Sequence, residues 1–195
     1  MSSSLSDLQL DALREVANIG SGNAATALSA MLGRPVDLSV ASARLLPLEQ
    51  AIESVGPAEL DVTAVALPIA GDIGGLVLLL FTSESGATVC SLLGVEGDAE
   101  MQASCLGEIG NILGASYLGA LAAMTGLNLE PQPPQVIADM LGAIVSTALV
   151  SADEAGDDAL LLDSELTVEG AECAFDFVFV PGASGIGEVL AGLGM

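Results

Sequence analysis

The chain has 195 residues, of which 52% are hydrophobic, enough for one domain with a sizeable core. Its 26 acidic residues stand against three arginines, with no lysine and no histidine, so the formal net charge is -23. This balance argues against nucleic acid and anionic membranes as partners, because both are bound through clustered cations. The lack of histidine excludes a Ser-His or Cys-His nucleophile and a histidine-ligated zinc site.

An acidic chain without lysine is typical of adaptation to concentrated salt, where a Debye length of about 3 Å at 1 M screens the repulsion between its charges. We therefore expect a halophilic archaeal source, the alternative being an acidic protein of a mesophile. Cys90, Cys105 and Cys173 are far apart in sequence and odd in number, which favours free thiols over a disulfide framework or a paired-thiol metal site.

The N-terminus has neither a basic region nor a continuous apolar one, so we expect a cytoplasmic protein. The uncharged stretch 109–129 is long enough to cross a bilayer. Its polar residues and its lack of flanking Lys or Arg favour a buried helix over membrane insertion.

Hydrophobic periodicity and turn residues predict a similar series of elements in each half of the chain. In the first half they are a helix to about Met31 capped by Ser6 or Asp7, a strand at 36–46, a hairpin of strands at 61–69 and 75–81, and a short helix to about Leu93. In the second half they are a helix at about 99–125, a brief strand at 134–137, a helix at about 139–149, a hairpin of strands at 160–168 and 173–180, and a closing helix at 184–193.

The second half thus repeats an α+β pattern and adds one helix to it. We expect a single domain over residues 1–195, with pseudo-symmetric halves at about 8–95 and 101–195. The hairpins should join in one continuous, mainly antiparallel sheet with the long helices packed on a face. The glycine-rich stretch 20–23 marks either a kink in the first helix or a place where another backbone comes close.

A shift of 93 residues places Glu15 and Asn18 of the first long helix on Glu108 and Asn111 of the second. The same register aligns further identical pairs, which are Leu13/Leu106, Ile19/Ile112, Ala27/Ala120, Leu28/Leu121, Ala30/Ala123, Met31/Met124 and Gly33/Gly126. So many coincidences in one register indicate an internal duplication.

Residues at positions i, i+4 and i+7 share one face of a helix. Asp11, Glu15 and Asn18 therefore lie on one face, and so do Ser104, Glu108 and Asn111. One interpretation is that the glutamates form the solvent side of an amphipathic helix and the asparagines are incidental. Retention of both residues in register favours a functional pair.

A glutamate and an asparagine one turn apart can bind a basic group through the carboxylate and position a water molecule through the amide. The pair has no nucleophile and no proton to transfer. It would therefore act in trans, on a site that already holds a metal ion and an activated phosphoryl group.

The pattern Asp/Ser-x3-Glu-x2-Asn, followed after 21 or 22 residues by Pro, resembles the signature of the CheC, CheX and FliY phosphatases of the chemotaxis system. Ser104, Glu108, Asn111 and Pro134 match the full pattern, with 22 residues between Asn111 and Pro134. The two copies and the continuation NIGSGNAATALSAM make the chain most similar to CheC, from about residue 8 to the C-terminus.

The first copy matches only the helical part of the pattern, through Asp11, Glu15 and Asn18. The repeat register places Ala41 opposite Pro134, so the proline is missing. We therefore expect the second copy to be the better site.

The resemblance implies hydrolysis of the aspartyl-phosphate on a CheY-type response regulator. Glu108 and Glu15 would pair with the active-site lysine of the regulator, while Asn111 and Asn18 would hold water in line with the phosphorus. The Mg²⁺ would belong to the regulator, so the chain would need no cofactor or metal of its own. We expect it to act as a monomer.

The resemblance also implies a second partner, because CheC proteins bind the receptor-modifying deamidase CheD. The chain could then be mainly an adaptor with weak phosphatase sites. The apolar face of the predicted helix at 139–149 would be either core or a surface for such a partner. A third alternative, a structural or motor-switch component, rests on the FliY likeness alone.

Overall fold

The computed structural model describes residues 5–96, 98–151 and 156–195 as six helices and seven strands. The helices are α1 (Asp7–Leu32), α2 (Leu48–Val55), α3 (Ser83–Leu92), α4 (Ala99–Thr125), α5 (Leu141–Ser151) and α6 (Gly185–Gly192). The strands are β1 (Val36–Pro47), β2 (Asp61–Gly71), β3 (Gly75–Thr82), β4 (Leu129–Pro131), β5 (Gln135–Met140), β6 (Asp158–Val168) and β7 (Ala171–Pro181).

The strands form one antiparallel sheet in the order β1-β6-β7-β3-β2-β4, with β5 also paired to β2. The first strand of each half pairs with the hairpin of the other half. Val36 at the start of β1 lies opposite Val168 of β6, and Leu129, 93 residues later, lies opposite Gly71 of β2. The predicted α+β fold with a continuous, mainly antiparallel sheet is confirmed.

Helices cover both faces of the sheet, which makes three layers. On β3, Leu79 and Phe81 face the layer that contains α1 and α4, while Leu78 and Leu80 face the layer that contains α2 and α5. Strands covered on both sides carry continuous apolar runs rather than alternating ones. This explains the unbroken hydrophobic sequence of β3, in which residues 76–81 are all buried.

The two long helices have matching start and stop signals. Ser6 forms a capping box with Gln9 at the start of α1, and the Asp98 side chain accepts a hydrogen bond from the Met101 amide at the start of α4. Both helices end at a glycine in the left-handed region. Because these signals are local, the sequence predicts both helices to within about one residue.

The glycine-rich stretch 20–23 is predicted to be either a kink or a close backbone approach, and the structure shows the close approach. A single helix, α1, runs through this stretch. A Cβ added at Gly20 would lie 2.9 Å from the Cα of Tyr117 on α4, closer than real contacts allow. The missing side chain lets the two long helices pack tightly at this point.

The expectation that only the second half carries an extra helix is wrong. Helix α2 is its counterpart in the first half, since Leu48 shifted by 93 residues is Leu141, the first residue of α5. Both helices bury their apolar side against the same face of the sheet, through Leu48 and Ala51 on α2 and through Leu141 and Ile144 on α5. That apolar face of α5 is therefore core.

All three cysteines are free thiols, as predicted, but they are not far apart in space. Burial raises the pKa of Cys105 to about 12, and its contact with Cys90 adds to the rise. Burial also raises the pKa of Cys173 to about 11, with a smaller contribution from Cys90. Thiols held protonated in this way are poor nucleophiles.

Candidate functional site

Glu108 and Asn111 lie on the exposed face of α4, with Ser104 exposed one turn before them. The residues between them, Ile109 and Gly110, are buried against the sheet. Residues i and i+3 of a helix have Cβ atoms about 5–6 Å apart on one face. The helix thus presents the carboxylate and the amide to solvent side by side while its opposite side is fixed in the core.

Glycines let α4 lie directly on the sheet beneath this exposed pair. A Cβ on Gly110 would come within 2.5 Å of Cγ1 of Val65 on β2, and a Cβ on Gly114 within 2.8 Å of Cδ2 of Leu67. Neither position has room for a side chain. The close approach fixes the height and rotation of α4 where Glu108 and Asn111 project from it.

Pro134 lies half-buried between β4 and β5, in the segment that leads back towards α4. Val136, two residues later, approaches Gly107, where an added Cβ would lie 3.2 Å from its Cγ2. Gly107 is adjacent to Glu108. The strand that follows Pro134 therefore packs beside the Glu108 end of the site.

The first copy has the same arrangement on α1. Asp11, Glu15 and Asn18 are exposed, and Val16 and Ala17 between the pair are buried. One difference is a surface ion pair, with Nη1 of Arg14 3.1 Å from Oδ1 of Asp11. The equivalent positions in the second copy, Ser104 and Gly107, carry no charge.

Ala41 in the first copy lies at an irregularity in its strand. The pairing of β1 with β6 shifts register between Val40 and Ser42. At the equivalent place in the second copy, Pro134 lies in the gap between β4 and β5. The strand pairing is irregular at the same point in both copies, through a register shift within β1 in one and a proline segment between two strands in the other.

In the part of the chain that the structure describes, the four side chains of the two Glu/Asn pairs have no partners. None of Glu15, Asn18, Glu108 and Asn111 makes a side-chain hydrogen bond or ion pair with the residues that the structure describes. The same described ranges contain no cluster of His, Cys, Asp and Glu suited to a metal ion. The arrangement offers two exposed hydrogen-bonding pairs that another molecule can contact.

The two sites are separate. Equivalent strands β3 and β7 pair antiparallel at the centre of the sheet, so the halves are related by an axis normal to it and α1 runs antiparallel to α4. The helices touch at Gly20 and Tyr117, which follow Asn18 and Asn111 respectively. The two asparagines therefore lie on opposite sides of the contact, about 12 Å apart along the helix axes.

A polar cluster on the opposite face of the sheet was not predicted. Nη2 of Arg44 lies 3.0 Å from Oδ1 of Asp163, and the Ser42 hydroxyl donates a hydrogen bond to the same carboxylate. Asp176 lies opposite Asp163 on the neighbouring strand. Burial, followed by repulsion from Asp163, raises the pKa of Asp176 to about 6, and Arg44 partly opposes this rise. The signal in the sequence is an aspartate in the interior of each apolar strand, Asp163 in β6 and Asp176 in β7.

No helix in the described ranges combines the length and the apolar character needed to cross a membrane. The stretch 109–129, considered above as a possible span, belongs mostly to α4.

Comparison with known proteins identifies the family to which the chain is similar. The chain matches the CheC-like family over residues 8–40 and 101–138, which contain both pairs. It is 36% identical over 166 residues to the CheY-P phosphatase CheC of Bacillus subtilis, a match that covers 81% of this chain and 79% of that protein.

Two further comparisons extend over most of the chain. It is 25% identical over 172 residues to the putative CheY-P phosphatase CheC1 of Halobacterium salinarum, covering 85% of this chain and 86% of that protein. The fold resembles the crystal structure of Thermotoga maritima FliY with a TM-score of 0.76 at 20% identity, covering 98% of each chain. With relatives in a Bacillus and a Halobacterium, the halophilic source stays a prediction.

Proposed function

Because the chain belongs to the CheC-like family, we propose that it hydrolyses the aspartyl-phosphate of a CheY-type response regulator, acting in the cytoplasm as part of chemotaxis signalling. Homology to a CheY-P phosphatase supports phosphatase activity. The observation that carries the proposal is the pair of exposed, unpartnered Glu/Asn sites, each on a helix fixed to the sheet.

In the proposed mechanism the chain supplies position rather than a nucleophile. Glu108 pairs with the active-site lysine of the regulator and thereby orients the regulator on α4. Asn111, one turn later, donates and accepts hydrogen bonds through its amide and holds a water molecule in line with the phosphorus. The regulator brings the phosphoryl group and its Mg²⁺. Glu15 and Asn18 perform the same roles in the first copy.

Rigid placement of the amide supports this mechanism. A water molecule held in line reacts faster because its orientation is fixed before the reaction. Asn111 has neighbours Gly110 and Gly114 against the sheet, so its helix has little freedom to move. The two copies differ in that an ion pair between Arg14 and Asp11 lies beside Glu15, whereas the equivalent positions beside Glu108 are uncharged.

The test is phosphate release from a phosphorylated CheY-type receiver, with Mg²⁺ and concentrated KCl, in the presence and absence of the chain. We expect Asn111→Ala to remove most of the acceleration, and Asn18→Ala combined with Asn111→Ala to lower it by about 100-fold, the typical effect of losing a positioned hydrogen-bonding group. Asn23→Ala, an exposed asparagine elsewhere on α1, is the matched control.

Thermal unfolding of each variant shows whether the fold is intact. Full activity of the double variant would refute the mechanism. An adaptor that binds a CheD-like deamidase is the second function that family membership suggests. Stable binding to CheD without acceleration of any cognate receiver would favour it.

A further inference from the structure

Two large apolar side chains project into solvent at equivalent places on the long helices. Leu8 on α1 is 69% exposed and Met101 on α4 is 52% exposed, the highest values among large hydrophobic residues that the structure describes. The shift of 93 residues that relates the Glu/Asn pairs also relates Leu8 to Met101. The two copies thus differ in residue type here but agree in exposing an apolar surface.

Leu8 and Met101 lie on the same helix face as the Glu/Asn pairs. Each precedes its glutamate, Glu15 or Glu108, by seven residues, which is about two turns and about 10.5 Å along the axis. On the other side of each pair, Ile19 or Ile112 directly follows the asparagine, and Ile19 is 38% exposed. Helix α1 therefore presents apolar surface on both sides of its polar pair, whereas on α4 Ile112 is half-buried against the core and Met101 is the exposed apolar residue.

The core does not account for these two side chains. Leu8 and Met101 belong to neither buried cluster, and the caps next to them use the side chains of Ser6 and Asp98. An isolated exposed leucine or methionine needs no explanation. An exposed apolar residue that recurs in both copies, at the same distance from a glutamate, does need an explanation.

We propose that Leu8 and Met101 are docking residues for the phosphorylated receiver, each contacting the receiver bound to its own site; this rests on the proposed function. A protein partner typically covers about 800 Å² on each side of an interface, which corresponds to a disc of about 16 Å radius. A receiver centred on Glu108 therefore covers Met101. The contact supplies affinity, and the Glu/Asn pair supplies the chemistry.

A second copy of the chain fits this surface poorly. Face-to-face pairing of two identical copies would bring together two surfaces that carry exposed carboxylates, in a chain of net charge -23. A receiver that offers a lysine to the glutamate instead meets it with opposite charge. The charge of the surface thus favours a receiver as the occupant.

The experiment compares Leu8→Gln/Met101→Gln with the control Met31→Gln/Met124→Gln. Glutamine preserves side-chain length and helix propensity. The control residues are also repeat-related and exposed, at 47% and 37%, but they lie sixteen residues beyond the glutamates and off their face. The readouts are KM and kcat for phosphate release, and the Kd for a receiver loaded with beryllofluoride and Mg²⁺.

We expect the Leu8/Met101 variant to raise KM and Kd by about 10-fold with little change in kcat, because one buried apolar contact per site is lost. The control should leave all three unchanged. Met101→Gln in an Asn18→Ala background should show the same rise in KM for the second site alone.

Unchanged KM and Kd alongside normal phosphate release would overturn the docking role and leave the proposed function standing. An equal rise in KM and Kd in the Met31/Met124 control variant would also overturn the docking role, since the effect would not be specific to Leu8 and Met101. Loss of self-association in sedimentation, with receiver binding intact, would show that a second copy is the occupant. A wild-type chain that binds the receiver but releases no phosphate would refute the proposed function. The Kd of the Leu8/Met101 variant for the beryllofluoride-loaded receiver would then still test the docking role.

Discussion

Replacing Gly110 with alanine should push α4 away from the sheet, because the site between Glu108 and Asn111 has no space for a methyl group. The added Cβ would lie 2.5 Å from Cγ1 and 2.8 Å from Cβ of Val65, well inside the 3.4 Å at which ordinary contact begins. Val65 is fully buried on a central strand, and its Cβ cannot move independently of the backbone. The helix must therefore shift.

Overpacking of this kind costs about 1–3 kcal/mol, while alanine in place of glycine inside a helix contributes about 1 kcal/mol in the other direction. Gly119→Ala on the same helix should gain helix propensity without overpacking, since nothing lies within 4 Å of its added Cβ. We expect Gly110→Ala to be about 2 kcal/mol less stable than Gly119→Ala, measured by urea unfolding with unchanged m-values.

The same shift should reduce activity at the second site. In an Asn18→Ala background, Gly110→Ala should lower kcat by about 10-fold or more, because a displacement of about 1 Å can cost 100-fold. Val65→Ala should partly restore stability when combined with Gly110→Ala, as a positive coupling in a double-mutant cycle. Equal stability of Gly110→Ala and Gly119→Ala would refute the reasoning.

Two further predictions concern the charges. Asp176 has a folded-state pKa of about 6, above its ordinary 3.8, so its own contribution to stability is most favourable below pH 4 and is lost as pH rises through 6. Asp176→Asn should therefore stabilise the fold by about 1–2 kcal/mol at pH 7, allowing for solvent screening, and by much less at pH 4; a gain independent of pH would contradict this. The net charge of -23 predicts that Tm rises by roughly 5–10 °C from dilute buffer to 2 M KCl. A Tm that is the same in both would count against adaptation to salt.

The sequence predicts the long helices and hairpins well because their signals are local. Capping residues, C-terminal glycines and continuous apolar runs each lie within a few residues of the boundary they determine. Helix α2 lacks such a signal at its start. It follows β1 without a turn, its N-cap is Pro47, and no side chain caps it. The amphipathic spacing of Leu48, Ala51 and Ile52, the glycine at the end of the helix and the repeat register could have revealed it.

The pairing of strands from different halves depends on long-range packing, which local sequence patterns do not predict. The order of elements is compatible with each half pairing its own strands. The structure instead pairs β1 with β6 and places β4 and β5 on β2, so each half completes the sheet of the other. The approach of Cys105 to Cys90 likewise depends on α3 packing against α4, which no spacing in the sequence predicts.

The position of the candidate site was predictable from the helical period, but the difference between its two copies was not. The missing proline suggested that the first copy lacks the loop behind its helix, yet Ala41 lies at a register shift where Pro134 lies at a strand gap. The strand pairing is therefore irregular at this point in both copies. What separates the copies is an ion pair, since Arg14 pairs with Asp11 in the first copy and the equivalent Ser104 and Gly107 are uncharged. The Asp11 carboxylate offsets the Arg14 guanidinium, so both copies have the same local net charge and a partner's lysine meets a similar field at each. The preference for the second site therefore stays a prediction, and the difference between the copies lies in this ion pair rather than in the absent proline.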